Sequence, residues 1–308
     1  MKNKIILLTW NVLLLLIFLI MPNIKLKAQE VNISAVQIKE LKEAMLKLIN
    51  ESRESEGLKP VELDELASQV GDKHCQEMIS EFYFSHWNSQ GLKPYMRYSY
   101  AGGKDALMEN LSLTEGGTYF NSKEKLINVL TAMHLRMFNE KPPYDGHRQA
   151  ILQPQHTHVG VGIAFSESQV RLAQEFIARY VEIKTLASKA KAGDTVNIVG
   201  RILKSKIYEL AGISVFYEPI PTALTRDELN SRGSYSFPEE EKILRPKLLN
   251  QYTYKDGSTG EVAYQKSNGE FSSQFSFEKN KTGIYTIVVW LKEGTNKFPV
   301  TNICVEVK

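Results

Sequence analysis

Residues 145–165 read DGHRQAILQPQHTHVGVGIAF. The last third alternates: Val159, Val161, Ile163 and Phe165 take one side, and Gly160, Gly162 and Ala164 the other. That period of two predicts a strand. Before it, Asp145 is placed to cap a short helix carrying His147, Arg148, Ile151 and Leu152. After it, Ser166 to Gln169 reads as a hairpin connection into a second strand within 170–183.

Helices are predicted upstream. Ile38, Leu41, Met45, Leu48 and Ile49 recur at helical spacing, and Gly57 with Pro60 ends that run. Leu63, Leu66, Ala67, Val70, His74, Met78 and Phe82 predict a second helix. Leu126, Val129, Leu130, Met133 and Met137 predict a third. Its start is read from the capping pair Asn121 and Glu124, and Pro142-Pro143 breaks it. Helices followed by a strand pair give an α+β fold, with helices covering a sheet.

Three segments fit together as one site: Phe84-Ser85-His86, Met108-Glu109-Asn110-Leu111, and Asp145-Gly146-His147-Arg148. Two imidazoles and a carboxylate from separate elements are the ingredients of a divalent-metal site. His86 and His147, with Glu109 beside them, suit Zn²⁺ or another divalent metal and leave a position for water. The plainer alternative is that both histidines bond to Glu109 and tie three elements together without metal. His74 lies mid-helix and His134 near an apolar stripe, so both are read as packing residues. His156 and His158 would share a strand face, either as a chelating pair or as hydrogen-bonding groups at the strand entry. No nucleophile–histidine pair, phosphate loop or dinucleotide fingerprint can be assembled.

The same segments resemble the CAP superfamily, the cysteine-rich secretory, antigen 5 and pathogenesis-related proteins, whose domain is also called the SCP domain. The likeness runs in order through Ile49-Asn50 with Arg53, Gly57 to Asp64, His74 with Met78, Phe84-Ser85-His86, Pro94 with Arg97, and Ala101-Gly102. It continues through Glu109-Asn110-Leu111, where Met108 replaces a glycine, and on to Gly146-His147-Arg148-x-x-Ile151-Leu152, Val159-Gly160-Val161-Gly162 and Gln174-Glu175-Phe176. It is similar to the bacterial branch and covers about half the chain. The resemblance implies an α-β-α sandwich and a secreted or surface protein. It also implies a cleft lined by His86, Glu109 and His147, with lipids, sterols or proteins among the ligands of relatives. Many relatives carry a second acid near the end of the helix before the later histidine. Residues 132–138 hold none, and Glu140 falls beyond the expected helix end, so the tetrad reads as incomplete.

The rest of the chain bounds these readings. Lys2 and Lys4, the apolar run Ile5 to Met21 and the small residue Ala28 read as a secretory signal over 1–28, cleaved after Ala28, or else as an uncleaved anchor. No later segment is apolar for long enough to span a bilayer. A net charge of +3 without a basic, aromatic-studded stripe excludes nucleic acid as the expected partner. Two cysteines, Cys75 and Cys304, make no disulfide framework.

Residues 32–186 are read as the CAP-like domain and 187–194 as a linker of small and charged residues. Residues 195–308 are read as an all-β, immunoglobulin-like sandwich. Its strands are expected at 195–203, 212–217, 270–277, 283–291 and 299–307. Three functional readings stay open. The first is a secreted protein whose cleft binds a ligand or metal, with the sandwich as interaction or spacer module. Its partner would be a protein, lipid or small molecule. The second is a metal-dependent, peptidase-like hydrolase with Glu109 as base. The third is a scaffold with a structural histidine cluster.

Overall fold

The computed structural model describes residues 34–116, 120, 122–184, 186–249 and 251–308, all within the compact unit Ile33–Lys308. The signal segment and the Asn121 cap lie outside them. In chain order the elements of the first half are α1 (Ala35–Ser55), β1 (Glu62–Leu63), α2 (Glu65–Ser80), α3 (Pro94–Tyr100), β2 (Ala106–Glu115), α4 (Lys123–Phe138), α5 (Gly146–Ile151), β3 (His158–Phe165) and β4 (Gln169–Ala178). The second half holds β5 (Val181–Ile183), β6 (Lys189–Ala190), β7 (Thr195–Ile202), β8 (Glu209–Glu218), α6 (Arg226–Ser231), β9 (Glu240–Leu244), β10 (Ala263–Gln265), β11 (Glu270–Ser276), β12 (Gly283–Glu293), β13 (Asn296–Pro299) and β14 (Ile303–Val307). Helices and sheets in one chain give the α+β class.

Local chemistry sets the helix ends. Ser34 and Gln37 form a capping box on α1, and Gly57, at φ 75°, follows its C-terminus. Asp64 accepts the Ala67 N–H at the start of α2, and Ser122 accepts the Lys125 N–H at the start of α4.

The first sheet has the order β1-β3-β4-β2, with β1 parallel to β3 and the other pairs antiparallel. The alternation in β3 explains the layers. Val159, Val161 and Ile163 bury against Leu41, Met45 and Ile49 of α1 and Leu126, Leu130 and Met133 of α4. Each such side chain contributes about 1.5–3 kcal/mol of burial. The other face of β3 carries Gly160, Gly162 and Ala164, so that α2 can lie on it. A Cβ at Gly162 would overlap the Gly71 backbone, and one at Gly160 would overlap Ala67.

The chain leaves this sheet abruptly. β4 ends at Ala178, and β5 already pairs with β7 in a second sheet of order β10-β11-β7-β5. Arg179 pins the crossing, with Nε 2.9 Å from Asp105 and a terminal nitrogen 2.6 Å from Asp64. A third sheet runs β6-β14-β12-β8-β9, with β13 beside β12. Ile198, Phe271 and Phe275 of the second sheet and Ile213, Val215, Tyr285 and Val289 of the third share one buried core.

Two readings of this half change. Lys189–Ala190, read as linker, pairs in parallel with β14. The stretch 299–307, read as one strand, is two, β13 and β14, separated by Val300 to Asn302. Helix α6 and strands β9 and β10 are short elements without a clear period. Cys75 and Cys304 are both free and buried.

The halves are stitched along the start of β2. The Ala106 N–H donates to Val300 O at 3.1 Å, and the Leu107 N–H to Asn302 Oδ1 at 2.7 Å. The Tyr95 hydroxyl donates to Glu218 at 2.9 Å, and Lys93 pairs with the same carboxylate at 2.8 Å.

Candidate functional site

His86 lies on the turn after α2. Buried His74 donates its Nε2–H to Ser85 O at 2.8 Å, and Arg97 donates to His86 O at 2.6 Å, so the backbone is held on both sides of the imidazole. His74 is therefore a packing residue that shapes the loop. Burial holds it neutral, with its pKa well below the usual value. The His86 ring donates Nδ1–H to Glu109 Oε1 at 2.7 Å. Arg97 takes the other carboxylate oxygen at 2.5 Å. Burial, with Arg97 adding to it, pushes the His86 pKa down to about 4. At neutral pH the ring is uncharged and its Nε2 is a lone-pair acceptor.

Glu109 is fully buried at its side chain, and both oxygens are engaged. It faces Glu175 directly across the β2–β4 pair. Glu175 is 0% exposed, and neither of its oxygens has a hydrogen-bond partner among the described residues while the carboxyl is ionised. A proton on Glu175 resolves this by donating to Glu109. Burial, and then the Glu109 charge, raise the Glu175 pKa well above the ordinary value. Burial also raises that of Glu109, against the pull of Arg97. Expected as a base, Glu109 instead orients His86.

His147 is the second residue of α5. Its ring donates Nδ1–H to Glu140 Oε1 at 2.5 Å, and its backbone N–H donates to Glu140 Oε2 at 3.0 Å. Glu140 thus orients the ring and satisfies a free amide at the helix start. Asp145 occupies the N-cap position but makes no cap bond; its carboxylate accepts from the Gln149 side chain. Glu140, which the sequence places beyond the expected helix end, lies two residues past α4 on a loop that folds back onto α5. Arg148 anchors the loop through Phe138 O at 2.7 Å and Glu56 at 2.7 Å.

Beneath the site runs a buried relay. Asn110 donates to His147 O at 3.0 Å and to Gln174 Oε1 at 3.5 Å. Gln174 Nε2 donates to His134 Nδ1 at 2.9 Å, so the His134 proton lies on Nε2 and is donated to Ser52 Oγ at 2.9 Å. This polarity is the reverse of what activates a serine. His156 precedes β3. Its ring stacks on Phe176 at 5.0 Å, and its Nδ1–H goes to Ala150 O at 3.0 Å. It shares no strand face with His158, whose Nδ1 bonds Thr157 instead. These two are hydrogen-bonding groups at the strand entry.

His86 and His147 open onto one cavity of about 830 Å³. Its walls are largely apolar: Phe84, Leu107, Met108, Tyr144, Phe237 and Phe298. The second half supplies Arg232 to Phe237 and Phe298 to Pro299 of this lining. Sequence patterns gave no sign that residues so distant in the chain would close the cleft. Among the described residues no three His, Cys, Asp or Glu side chains are grouped to hold a metal ion. The carboxylates are spent on Arg97 and the two imidazoles, which leaves two Nε2 donors where a zinc site takes three or four protein ligands. The residues present do not fit a metal that activates water.

Comparison with known proteins places these segments. Residues 46–178 match the model of the cysteine-rich secretory protein (CAP) family. The uncharacterized protein YkwD of Bacillus subtilis (strain 168) is 28% identical over 136 residues, covering 44% of this chain and 46% of the relative. The chain thus spans about half the length of the curated relative it matches. Among solved structures, an extracellular protein containing an SCP domain from Bacillus anthracis is 20% identical, with 48% of this chain and 45% of the other covered and a TM-score of 0.36. The CAP domain of enterococcal PrgA is 18% identical, with 48% and 64% covered and a TM-score of 0.36.

Proposed function

The chain belongs over residues 46–178 to the CAP family, in its bacterial branch, and from that premise we propose that it is a secreted or surface protein whose cleft binds a small ligand. The carrying observation is the cavity of about 830 Å³, whose largely apolar lining includes two carboxylate-held imidazoles. That volume falls in the usual range for small-molecule sites. The ligand is an elongated, largely apolar molecule with a hydroxyl or amide N–H at one end. Neutral His86 accepts that donor at Nε2, because Nδ1–H is committed to Glu109. His147, with its Nδ1–H committed to Glu140, lines the same cavity and offers a second contact to the ligand. The β-rich half, an immunoglobulin-like sandwich by its strand spacing, doubles as wall and interaction module. No helix among the described residues is long and apolar enough to cross a membrane.

The test is a thermal-shift and calorimetric titration of the purified protein with 1-dodecanol, its methyl ether and Zn²⁺. The alcohol is expected to bind about tenfold more tightly than the ether, a typical share for one hydrogen bond, and His86→Ala to erase that preference. No binding of either amphiphile would sink the ligand reading. Tight, saturable Zn²⁺ binding lost in both His86→Ala and His147→Ala would replace it with a metal site.

A further inference from the structure

The segment after α6 is extended and lies across the cleft of the first half. Its anchor is α6 itself. Leu229 is buried among Met78, Tyr83 and Leu111, and Asn230 Oδ1 accepts the Phe84 N–H at 2.9 Å, two residues before His86. Its far end is fixed by Phe237, which stacks on Phe216 at 4.8 Å and packs on Tyr95 at 5.2 Å. Between these anchors Tyr235 points inward. Its ring stands edge-on to His86 at 5.0 Å, and its hydroxyl accepts the Glu109 N–H at 2.8 Å.

That hydrogen bond answers a need of the sheet. β2 is an edge strand, so outward amides such as that of Glu109 have no strand partner. The Tyr235 hydroxyl supplies one, and the ring fills the space beside the imidazole.

We propose that Tyr235, carried on the Arg232–Phe237 strap of the β-rich half, is a positioning residue of the cleft: it fixes the Glu109 peptide and controls access to His86. The site is therefore a composite of both halves, and the appended half determines what reaches the imidazole. This rests on the reading of the cleft as the functional site, but not on any ligand being found.

The test uses the whole protein with Tyr235→Phe and Tyr235→Ala. Two readouts are followed by mass spectrometry: carbethoxylation of His86 by diethyl pyrocarbonate, with His147 as internal reference, and hydrogen exchange at the Glu109 amide. Tyr235→Phe keeps the ring and loses the hydroxyl. Glu109 exchange should rise about tenfold, as for one lost hydrogen bond, with His86 reactivity little changed. Tyr235→Ala should raise both, leaving the His147 rate at its wild-type value. Unchanged rates in both variants would overturn the proposal. Equal acceleration at His147 and at the core amide of Val161 in both variants would also overturn it, because Tyr235 would then act on stability alone. Neither readout involves a bound ligand, so failure here is distinguishable from failure of the binding reading.

Discussion

Replacing Glu175 with glutamine should stabilise the protein at neutral pH, against the usual outcome for a fully buried residue. Glutamine keeps the shape of a protonated glutamate and can donate the same hydrogen bond to Glu109. It carries no proton to lose. A carboxyl whose pKa is higher in the fold than in the unfolded chain holds its proton more tightly when folded. Its stabilising share is complete below the ordinary glutamate value of 4.5 and is lost as pH climbs through the raised folded value. While the folded group stays protonated, each pH unit above 4.5 costs the wild type about 1.4 kcal/mol relative to the variant. The gap should be near zero at pH 4 and about 2 kcal/mol at pH 6. For a chain of this size that corresponds to roughly 4 °C in Tm. The assay is urea denaturation of both proteins from pH 4 to 8, with m-values compared to confirm a common unfolding transition. A gap that does not vary with pH would refute the neutral, proton-sharing Glu175. A variant less stable at pH 8 than at pH 4 relative to wild type would show instead that Glu175 is ionised and paired.

Three other predictions test separate parts of the structure. Glu140→Ala removes both bonds to His147, and because the pair is partly exposed the loss should be modest, about 1–2 kcal/mol; the urea midpoint should fall with m unchanged, and Glu140→Gln should recover part of it. Gly162→Ala drives a methyl into Gly71 and should cost more than about 3 kcal/mol or prevent folding, whereas Gly146→Ala, with open space around it, should stay within about 0.5 kcal/mol by thermal denaturation. Burial depresses the His134 pKa to about 4, so its share of stability is present above 6.5 and is lost as pH falls toward 4; the stability–pH profile of His134→Gln should be flatter across that window, and an unchanged slope would contradict a neutral, buried His134.

The elements whose chemistry is local were legible in the sequence. The Val-Gly-Val-Gly alternation places β3 and also dictates that a helix lies on its small-residue face. The apolar stripes of α1 and α4 name the residues that cover the other side. The two histidines, Glu109 and the CAP resemblance came from short contiguous motifs. The short strands of the second half were harder to read. β6 and β9 owe their state to neighbours supplied by distant segments, β14 and β8, and not to a period of their own.

Missed site residues share one property: each is defined by a partner's unfilled valence. Glu140 is recognisable only once the loop after α4 brings it to the ring and amide of His147. Arg97 appeared as a motif letter, yet its role follows from the Glu109 oxygen left over by His86. Tyr235 answers an edge-strand amide more than a hundred residues earlier in the chain. The same accounting changes the meaning of Glu109. A carboxylate beside two histidines suggested a base with a lone pair to spend on substrate. With one oxygen on His86, the other on Arg97 and Glu175 opposite it, that carboxylate is buried with both oxygens engaged. What reaches the cavity is the consequence one bond further out, an imidazole fixed in one tautomer and kept neutral, with its acceptor nitrogen as the group that a ligand would meet.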